Sequence, residues 1–205
     1  MRIQIDKIKK YKMEDLTQHG RESAVMVPLI PDPQDETGYS ILFEVRANGI
    51  RQGGEICFPG GMVEAGETGE EAAAREVREE LLLEENAVEI LASLVEQEGP
   101  SGRLVKSYIG IIPDYKMTYS EDEVSRVFTL PLSWLLKEEG KKVNVTYSMD
   151  QNDDFPYDLI PAGRDYPFSK YKRSFYFYET KEGVIWGITG EILHEFIEYI
   201  KNSNS

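Results

Sequence analysis

Short apolar stretches recur along most of the chain, and turn-forming residues separate them. The segment Pro31–Asp35, for example, holds two prolines and two aspartates between the first two apolar stretches, which is typical of a loop between strands. A shorter apolar stretch, Glu55–Phe58, leads into a Pro-Gly-Gly turn. The pattern predicts strands at Ser23–Ile30, Tyr39–Arg46, Ala87–Val95, Leu104–Ile112, Val124–Leu130, Val143–Met149 and Phe175–Thr180.

One segment after that turn has the composition and spacing of a helix. Thr68 is placed to cap its first turn with the side-chain hydroxyl, while Glu71 reaches back as in a capping box. The alanines at 72–74 favour helix strongly. Residues four apart form an apolar stripe that can seat this helix on a core: Ala73, Val77 and Leu81.

Two further helical segments are predicted nearer the C-terminus. Ile188–Ile200 is amphipathic, and Pro131 opens a short helical turn that runs to Leu136. Strands and helices are therefore mixed, without the regular strand–helix alternation of a doubly wound sheet. The chain is predicted to be α/β in class.

The first of these helices carries a concentration of acid. Glu76, Glu79 and Glu80 are three and four residues apart, so their carboxylates crowd one face and repel one another. Arg75 can pair with Glu79 one turn on, but one guanidinium cannot neutralise the cluster. A hard divalent cation, Mg²⁺ or Mn²⁺, would do so. On composition alone, such a run is more often the solvated face of an amphipathic helix.

The arrangement of the whole segment favours the metal-binding interpretation, because it resembles the Nudix box, G-x5-E-x7-R-E-U-x-E-E-x-G-U, with U a bulky apolar residue. The matching positions are Gly61, Glu67, Arg75, Glu76, Val77, Glu79, Glu80 and Leu83. The resemblance implies an α/β/α sandwich around a mixed β-sheet. It also implies metal-dependent hydrolysis of a nucleoside diphosphate linked to another moiety.

One position departs from the box, since Leu82 stands where the pattern has its second glycine. A left-handed conformation would cost a leucine about 1–2 kcal/mol. We therefore expect the helix to continue through Leu82 toward Asn86 and to turn there.

The resemblance also assigns roles within the site. It implies that Glu76, Glu79 and Glu80 coordinate Mg²⁺ or Mn²⁺ together with the backbone carbonyl of Gly61. Glu67 would bind a second metal directly or through water. Arg75 would orient these carboxylates by ion pairing, and we count it with Glu79 among the catalytic residues.

The general base is left open by the sequence, because Nudix enzymes differ in which carboxylate serves. Glu123 is the first candidate outside the box, since it matches a glutamate in a downstream family segment. Glu96 and Glu98, at the end of a predicted strand, come next. The two histidines, His19 and His194, lie outside every motif, and a packing or surface role is expected for His194.

A narrower resemblance points to the coenzyme A pyrophosphatase branch of this family, whose signature is roughly L-L-x-x-R-S/A-x3-R-x3-G-x3-F-P-G-G. The matches are Leu42, Arg46, Ala47, Arg51, Gly54, Phe58, Pro59, Gly60 and Gly61, with the interval from Arg51 to Gly54 one residue short. The segments 120–132 and 185–189 also resemble segments of that branch. Arg46 and Arg51 would then bind the 3′-phosphate or the pyrophosphate of the substrate.

Two other hypotheses stay open. The substrate could be ADP-ribose, a dinucleotide or a nucleoside triphosphate, or the chain could be a Nudix module that senses a nucleotide without cleaving it.

A basic and aromatic cluster could also bind a nucleotide, although we expect an exposed loop there: Tyr166, Phe168, Lys170, Tyr171, Lys172 and Arg173. The acidic stretch Asp150–Asp154 lacks the glycine and glutamate of a calcium loop.

Composition limits the partners. The 205 residues are expected to form one domain, with residues 1–22 as an extension that is either a dimer contact or a helix packed on its own domain. A net charge of −14 disfavours nucleic acid, and no apolar stretch is long enough to span a membrane. The single cysteine, Cys57, is expected to be buried and fits a reducing, cytoplasmic compartment. The expected partner is a small nucleotide.

Overall fold

A computed structural model describes residues 22–99, 102–149 and 154–203. The predictions for the N-terminal segment before residue 22, for His19 and for residues 150–153 therefore lie outside the described residues. In chain order the elements are β1 (Glu22–Pro31), β2 (Tyr39–Arg46), β3 (Ile56–Cys57), β4 (Gly60–Met62), α1 (Gly69–Leu81), β5 (Glu89–Glu98), β6 (Leu104–Ile111), β7 (Val124–Pro131), α2 (Leu132–Leu135), β8 (Lys141–Tyr147), β9 (Tyr171–Thr180), β10 (Gly183–Ile185) and α3 (Gly187–Ser203). Short 3₁₀ turns lie at Tyr157–Leu159 and Gly163–Asp165.

The central sheet has seven strands among the described residues, with the order β3-β2-β1-β6-β5 and with β4 and β7 paired to β1 and β2. The pairing of β1 with β6 is parallel, from Glu22 opposite Leu104 to Leu29 opposite Ile111. The other pairs are antiparallel, so the sheet is mixed. Strands β8, β9 and β10 form a separate three-stranded antiparallel layer.

Alternate residues of the strands send apolar side chains to opposite faces of the central sheet. Phe43 of β2 lies in the core that includes Ile192 and Phe196 of α3. Its neighbour Leu42 packs instead with Val77 and Leu81 of α1. The sheet is thus covered by a helix on each face, and the predicted α/β/α sandwich around a mixed sheet is confirmed. No helix of the described part of the chain is long and apolar enough to cross a membrane.

Most of the predicted elements are present, with shifted ends. The strands β4 and β10 were not predicted, because each has only three residues. Pairing with the distant β1 holds β4, and a hairpin with the preceding β9 holds β10. The expected exposed loop at residues 166–173 is wrong at its C-terminal end. Tyr171 begins β9 opposite Tyr147 of β8, and Arg173 forms an ion pair of 3.0 Å with Glu191 of α3.

The prediction that α1 continues past Leu82 is also wrong. The helix ends at Leu81, and Leu82 is left-handed with φ 53° and ψ 51°. Three C-terminal carbonyls find donors outside the helical ladder: Arg78 accepts from the N–H of Leu83 at 2.9 Å, Glu80 from the N–H of Ser120 at 2.7 Å and Leu81 from the hydroxyl of Thr118 at 2.6 Å. These bonds offset the strain of a left-handed leucine and end the helix where the family pattern has glycine.

Candidate active site

The position of α1 on the sheet is set by a cap and by small side chains. Thr68 Oγ1 accepts the N–H of Glu71 at 3.2 Å, and the Glu71 carboxylate accepts the N–H of Thr68 at 2.8 Å, so the predicted capping box is confirmed. Ala72 and Ala73 pack directly on Ala24 of β1. The alanines let the helix approach the strand closely, and this brings its acidic face beside the Pro59-Gly60-Gly61 turn.

The two glycines of that turn contact two different glutamates of α1. The N–H of Gly60 donates to Glu80 Oε2 at 2.7 Å. A β-carbon at Gly61 would fall on the carboxyl group of Glu76, so glycine is the residue that leaves room for that carboxylate. The turn therefore fixes both acids from the side of the sheet.

Burial perturbs both of these acids. Glu80 is only 4% exposed, and burial, followed by repulsion from Glu76 and Glu123, raises its pKa to about 8 against the opposing hydrogen bond from Gly60. Burial also raises the pKa of Glu76, although Arg75 opposes this. A hard divalent cation stabilises the charged form of such carboxylates, because it offsets both their burial and their mutual repulsion.

Arg75 organises the outer part of the acidic cluster. Its guanidinium donates to Glu67 at 2.9 Å, to Glu76 at 3.0 Å and to Glu79 at 3.0 Å, and also to the carbonyl of Met62 at 3.0 Å. The predicted pairing with Glu79 is thus present, and the same arginine also holds Glu67 and Glu76.

Glu67 and Glu79 are less available to bind a metal than Glu76 and Glu80 are. Both oxygens of Glu67 accept from Arg75, and one also accepts the N–H of Glu64 at 3.0 Å. The hydrogen bond from Arg75 lowers the pKa of Glu67. The side chain of Glu79 is 62% exposed. A metal role for either residue stays a prediction and requires release from Arg75.

A cavity of about 510 Å³ opens where the β2–β3 and β5–β6 hairpins flank the start of β1. It brings together most of the residues that the sequence singled out: Arg46, Arg51, Gly61, Glu76, Glu80 and Glu123. Glu123 is joined to the hairpin through its carbonyl, which accepts the N–H of Ala47 at 2.8 Å. The alternative bases Glu96 and Glu98 do not line this cavity.

The shortened interval after Arg51 is accommodated by the backbone. Gln52 and Gly54 adopt positive φ angles of 61° and 82°, and the N–H of Gly54 donates to the carbonyl of Arg46 at 3.0 Å. Arg51 still lines the cavity, and its carbonyl accepts from Nε of Arg46 at 3.2 Å.

Two charged residues of this region were missed by the sequence analysis. Glu44 is 1% exposed in β2, and its pKa is raised by burial and then by the nearby Glu80. A charge inside an otherwise apolar strand was the available signal. Arg103, from the β5–β6 hairpin, also lines the cavity, and no motif marks it.

Two other side chains can be compared with their predictions. Cys57 is only half-buried and lines the cavity, so the prediction of a buried position is met in part. Burial of its thiol, and then the negative charge of Glu44, raises the pKa of Cys57 to about 12, which makes it unreactive at neutral pH. His194 stacks on Tyr176 with ring centroids 3.6 Å apart, which confirms a packing role.

The acidic residues suit a hard divalent cation by the chemistry of their donors. Within residues 22–99, 102–149 and 154–203, no three acidic, histidine or cysteine side chains already surround one metal position. Three of the acids, Glu67, Glu76 and Glu79, accept hydrogen bonds from Arg75 instead. Oε1 of Glu44, however, is buried without a hydrogen-bond partner in this part of the chain, beside a carboxylate that is also buried. An orphaned carboxylate oxygen in such a place fits a cation.

Comparison with known proteins agrees with this geometry. The model of the NUDIX domain matches residues 20–148. A protein of Escherichia coli O7:K1 named "Uncharacterized Nudix hydrolase NudL" is 31% identical over 188 residues, which cover 87% of this chain and 82% of that protein. The NudL protein of Salmonella dublin is 31% identical over 193 residues, which cover 90% and 85%. The chain therefore belongs to the Nudix hydrolase family.

A solved structure extends the likeness over nearly the whole fold. The MutT/nudix family protein of Enterococcus faecalis superposes with a TM-score of 0.53 over 97% of this chain and 68% of that one. At 14% identity the likeness concerns the fold alone.

Proposed function

We propose that this Nudix hydrolase cleaves the pyrophosphate bond of coenzyme A or its derivatives and releases 3′,5′-ADP and 4′-phosphopantetheine. One observation carries the proposal: the buried Glu80 and the half-buried Glu76 share a cavity with Arg46 and Arg51. Family membership supports hydrolysis, and the likeness of residues 42–61 to the coenzyme A pyrophosphatase signature supports the substrate.

The metal would be Mg²⁺ or Mn²⁺, held by Glu76 and Glu80 with the carbonyl of Gly61. Glu79 and Glu67 would join after leaving Arg75. When bound, such an ion polarises the phosphoryl groups and lowers the pKa of the attacking water.

The protein's own groups provide the remaining chemistry. The N–H of Gly60 keeps the Glu80 carboxylate at the turn, and Arg75 sets the positions of the other carboxylates. Glu123 faces the same cavity and is the candidate to accept the proton of water. Arg46 and Arg51 donate to phosphate oxygens, for which the planar guanidinium fork is well matched.

The apolar part of the cavity lining suits the rest of the substrate. Both the sheet and α3 contribute to it: Val25, Phe58, Val105, Ile188 and Ile192. Arg103 adds a positive charge to the same lining. A substrate with an anionic end and an apolar or planar end would contact both regions.

Two alternatives are to be tested against this proposal. The substrate is a different nucleoside diphosphate derivative such as ADP-ribose, or the protein is a sensor that binds a nucleotide without turnover. A sensor is suggested by the two departures from the family patterns, at Leu82 and in the shortened interval from Arg51 to Gly54. The side chain of Leu82 is 61% exposed at the end of α1 and does not line the cavity, so it leaves the acidic residues in place.

Product analysis by chromatography tests the proposal. The protein is incubated separately with coenzyme A, ADP-ribose and dATP, with Mg²⁺, with Mn²⁺ and with EDTA. Metal-dependent release of 3′,5′-ADP and 4′-phosphopantetheine, well ahead of the other two reactions, is the expected result. Preferential turnover of another substrate would overturn the assignment of coenzyme A as substrate and would leave metal-dependent hydrolysis in place. Absence of turnover would favour the sensor.

A further inference from the structure

We propose that Glu44 is an additional residue of the divalent-cation site and contributes its carboxylate from the side of the sheet. The inference rests on the metal-binding part of the proposed function. It does not depend on which nucleotide is cleaved.

The position of Glu44 follows from strand alternation. Leu42, two residues earlier in β2, packs against Val77 and Leu81 of α1. Glu44 therefore points to the same face of the sheet, toward the helix that carries the acidic cluster. Among charged groups, Glu80 of that helix acts most strongly on Glu44, ahead of Arg46 and Glu123.

The surroundings of Glu44 bring it close to the Pro-Gly-Gly turn. Its backbone pairs with Cys57 of β3, three residues before Gly60. Gly60 in turn donates its N–H to the carboxylate of Glu80. Glu44 and Glu80 thus approach the turn from the strand and from the helix.

The side chain of Glu44 lacks the partners that a purely structural acid would have. It is 1% exposed, and among the described residues Oε1 accepts no hydrogen bond. Buried polar atoms in native proteins are nearly always paired, so an unpaired carboxylate oxygen requires an explanation. Burial of a carboxylate is strongly unfavourable unless a positive charge compensates it.

The nearby Arg46 opposes the rise in the pKa of Glu44 only in part. In the part of the chain that the structure describes, no ion pair joins Arg46 to Glu44, and Nε of Arg46 donates to the carbonyl of Arg51. Arg46 faces the cavity, where it is available to an anionic substrate. A divalent cation beside Glu80 would supply the missing charge.

The test is a titration with Mn²⁺ alone, in which electron paramagnetic resonance measures the free ion. Glu44→Gln is compared with Glu55→Gln, which removes the same charge from the lining of the neighbouring cavity. Glu55 is a matched control because its carboxylate already accepts from Gln52 at 3.1 Å. We expect Glu44→Gln to weaken Mn²⁺ binding by about tenfold or more, and Glu55→Gln to change it by less than about twofold.

Thermal unfolding provides a second readout of the same site. In EDTA, Glu44→Gln should unfold at the same temperature as the unsubstituted protein or higher, because an uncompensated buried charge is removed. Its stabilisation by Mn²⁺ should be smaller. If Glu44→Gln does not fold, Glu44→Asp takes its place. It keeps the charge but withdraws the oxygens by one methylene, and weaker Mn²⁺ binding is again expected.

The outcomes separate the inference from the proposed function. If Glu44→Gln, or Glu44→Asp in its place, bound Mn²⁺ as tightly as the unsubstituted protein does, the role of Glu44 alone would be overturned. If the unsubstituted protein bound no Mn²⁺, both the role of Glu44 and the metal chemistry would be overturned. A different nucleotide substrate would leave the inference intact.

Discussion

The carboxyl group of Glu76 occupies the space that a β-carbon on Gly61 would need, so the two residues fit together only because position 61 is glycine. The neighbouring glycine is constrained differently. Gly60 has φ 147°, and a β-carbon there would meet the backbone of Ala24 and Val25. One glycine therefore makes room for the carboxylate of Glu76, and the other makes room for β1.

This difference predicts that two alanine substitutions affect different properties, Mn²⁺ affinity in one case and stability in the other. Gly61→Ala should fold normally, because the end of the Glu76 side chain can move aside, but Mn²⁺ affinity should fall by about 10–100-fold. Gly60→Ala should lower the free energy of unfolding by about 2 kcal/mol or more, because backbone atoms must shift. Calorimetric Mn²⁺ titration and urea unfolding measure the two effects. Unchanged Mn²⁺ affinity in Gly61→Ala would contradict the proposed place of Glu76 in the site.

Leu82 gives a prediction about stability without a change at the site. A left-handed leucine is strained by about 1–2 kcal/mol, and glycine removes the strain at a smaller entropic cost. Leu82→Gly should therefore raise the free energy of unfolding by about 0.5–1 kcal/mol, as measured by urea denaturation. Leu83→Gly, at the next position, serves as the control and should not stabilise. A destabilised Leu82→Gly would mean that the exposed side chain makes contacts that the cap geometry does not reveal.

His194 gives a prediction about pH. Burial lowers its pKa below 6.5, against the opposing charges of Glu195 and Glu198. The unfolded chain then binds protons more readily than the folded chain in mild acid. The stability that His194 contributes is thus present above pH 6.5 and is lost as the pH falls below that value.

His194→Phe, which keeps an aromatic ring to stack on Tyr176, should remove this part of the acid sensitivity. Urea unfolding of both proteins between about pH 7.5 and 5.5 measures it. Stability curves that run parallel for the two proteins across that range would show that His194 does not titrate differently on folding.

Arg46 gives a prediction about specificity. If its guanidinium binds a phosphate that coenzyme A carries and ADP-ribose lacks, Arg46→Ala should reduce kcat/KM for coenzyme A by about tenfold or more and affect ADP-ribose less. Lys181→Ala, which removes an exposed cation outside the cavity, is the control. An equal reduction of kcat/KM for both substrates would remove the support that Arg46 gives to coenzyme A as the substrate.

Much of α1 could be predicted from the sequence because its determinants lie within one or two turns of one another. The Thr68–Glu71 capping box, the apolar stripe and the pairing of Arg75 with Glu79 all join residues three to eight positions apart at most. The strands that pair into the central sheet were likewise marked by their own apolar residues. The spacing of the box residues also anticipated that Glu76 and Glu80 would lie near the Pro-Gly-Gly turn, whereas Glu79 is exposed and pairs with Arg75.

The remaining features depend on contacts between distant parts of the chain. Leu82 is left-handed because Thr118 and Ser120 bind the end of α1, and β4 forms because β1 lies beside it. Arg103 reaches the cavity only through the pairing of β5 with β6. The sequence by itself determined the family, the helix and its acidic face, since local hydrogen bonds and periodicity specify them. The tertiary structure decided where that helix ends and that Glu44 is buried beside Glu80, because only the packing of helix on sheet brings those residues together.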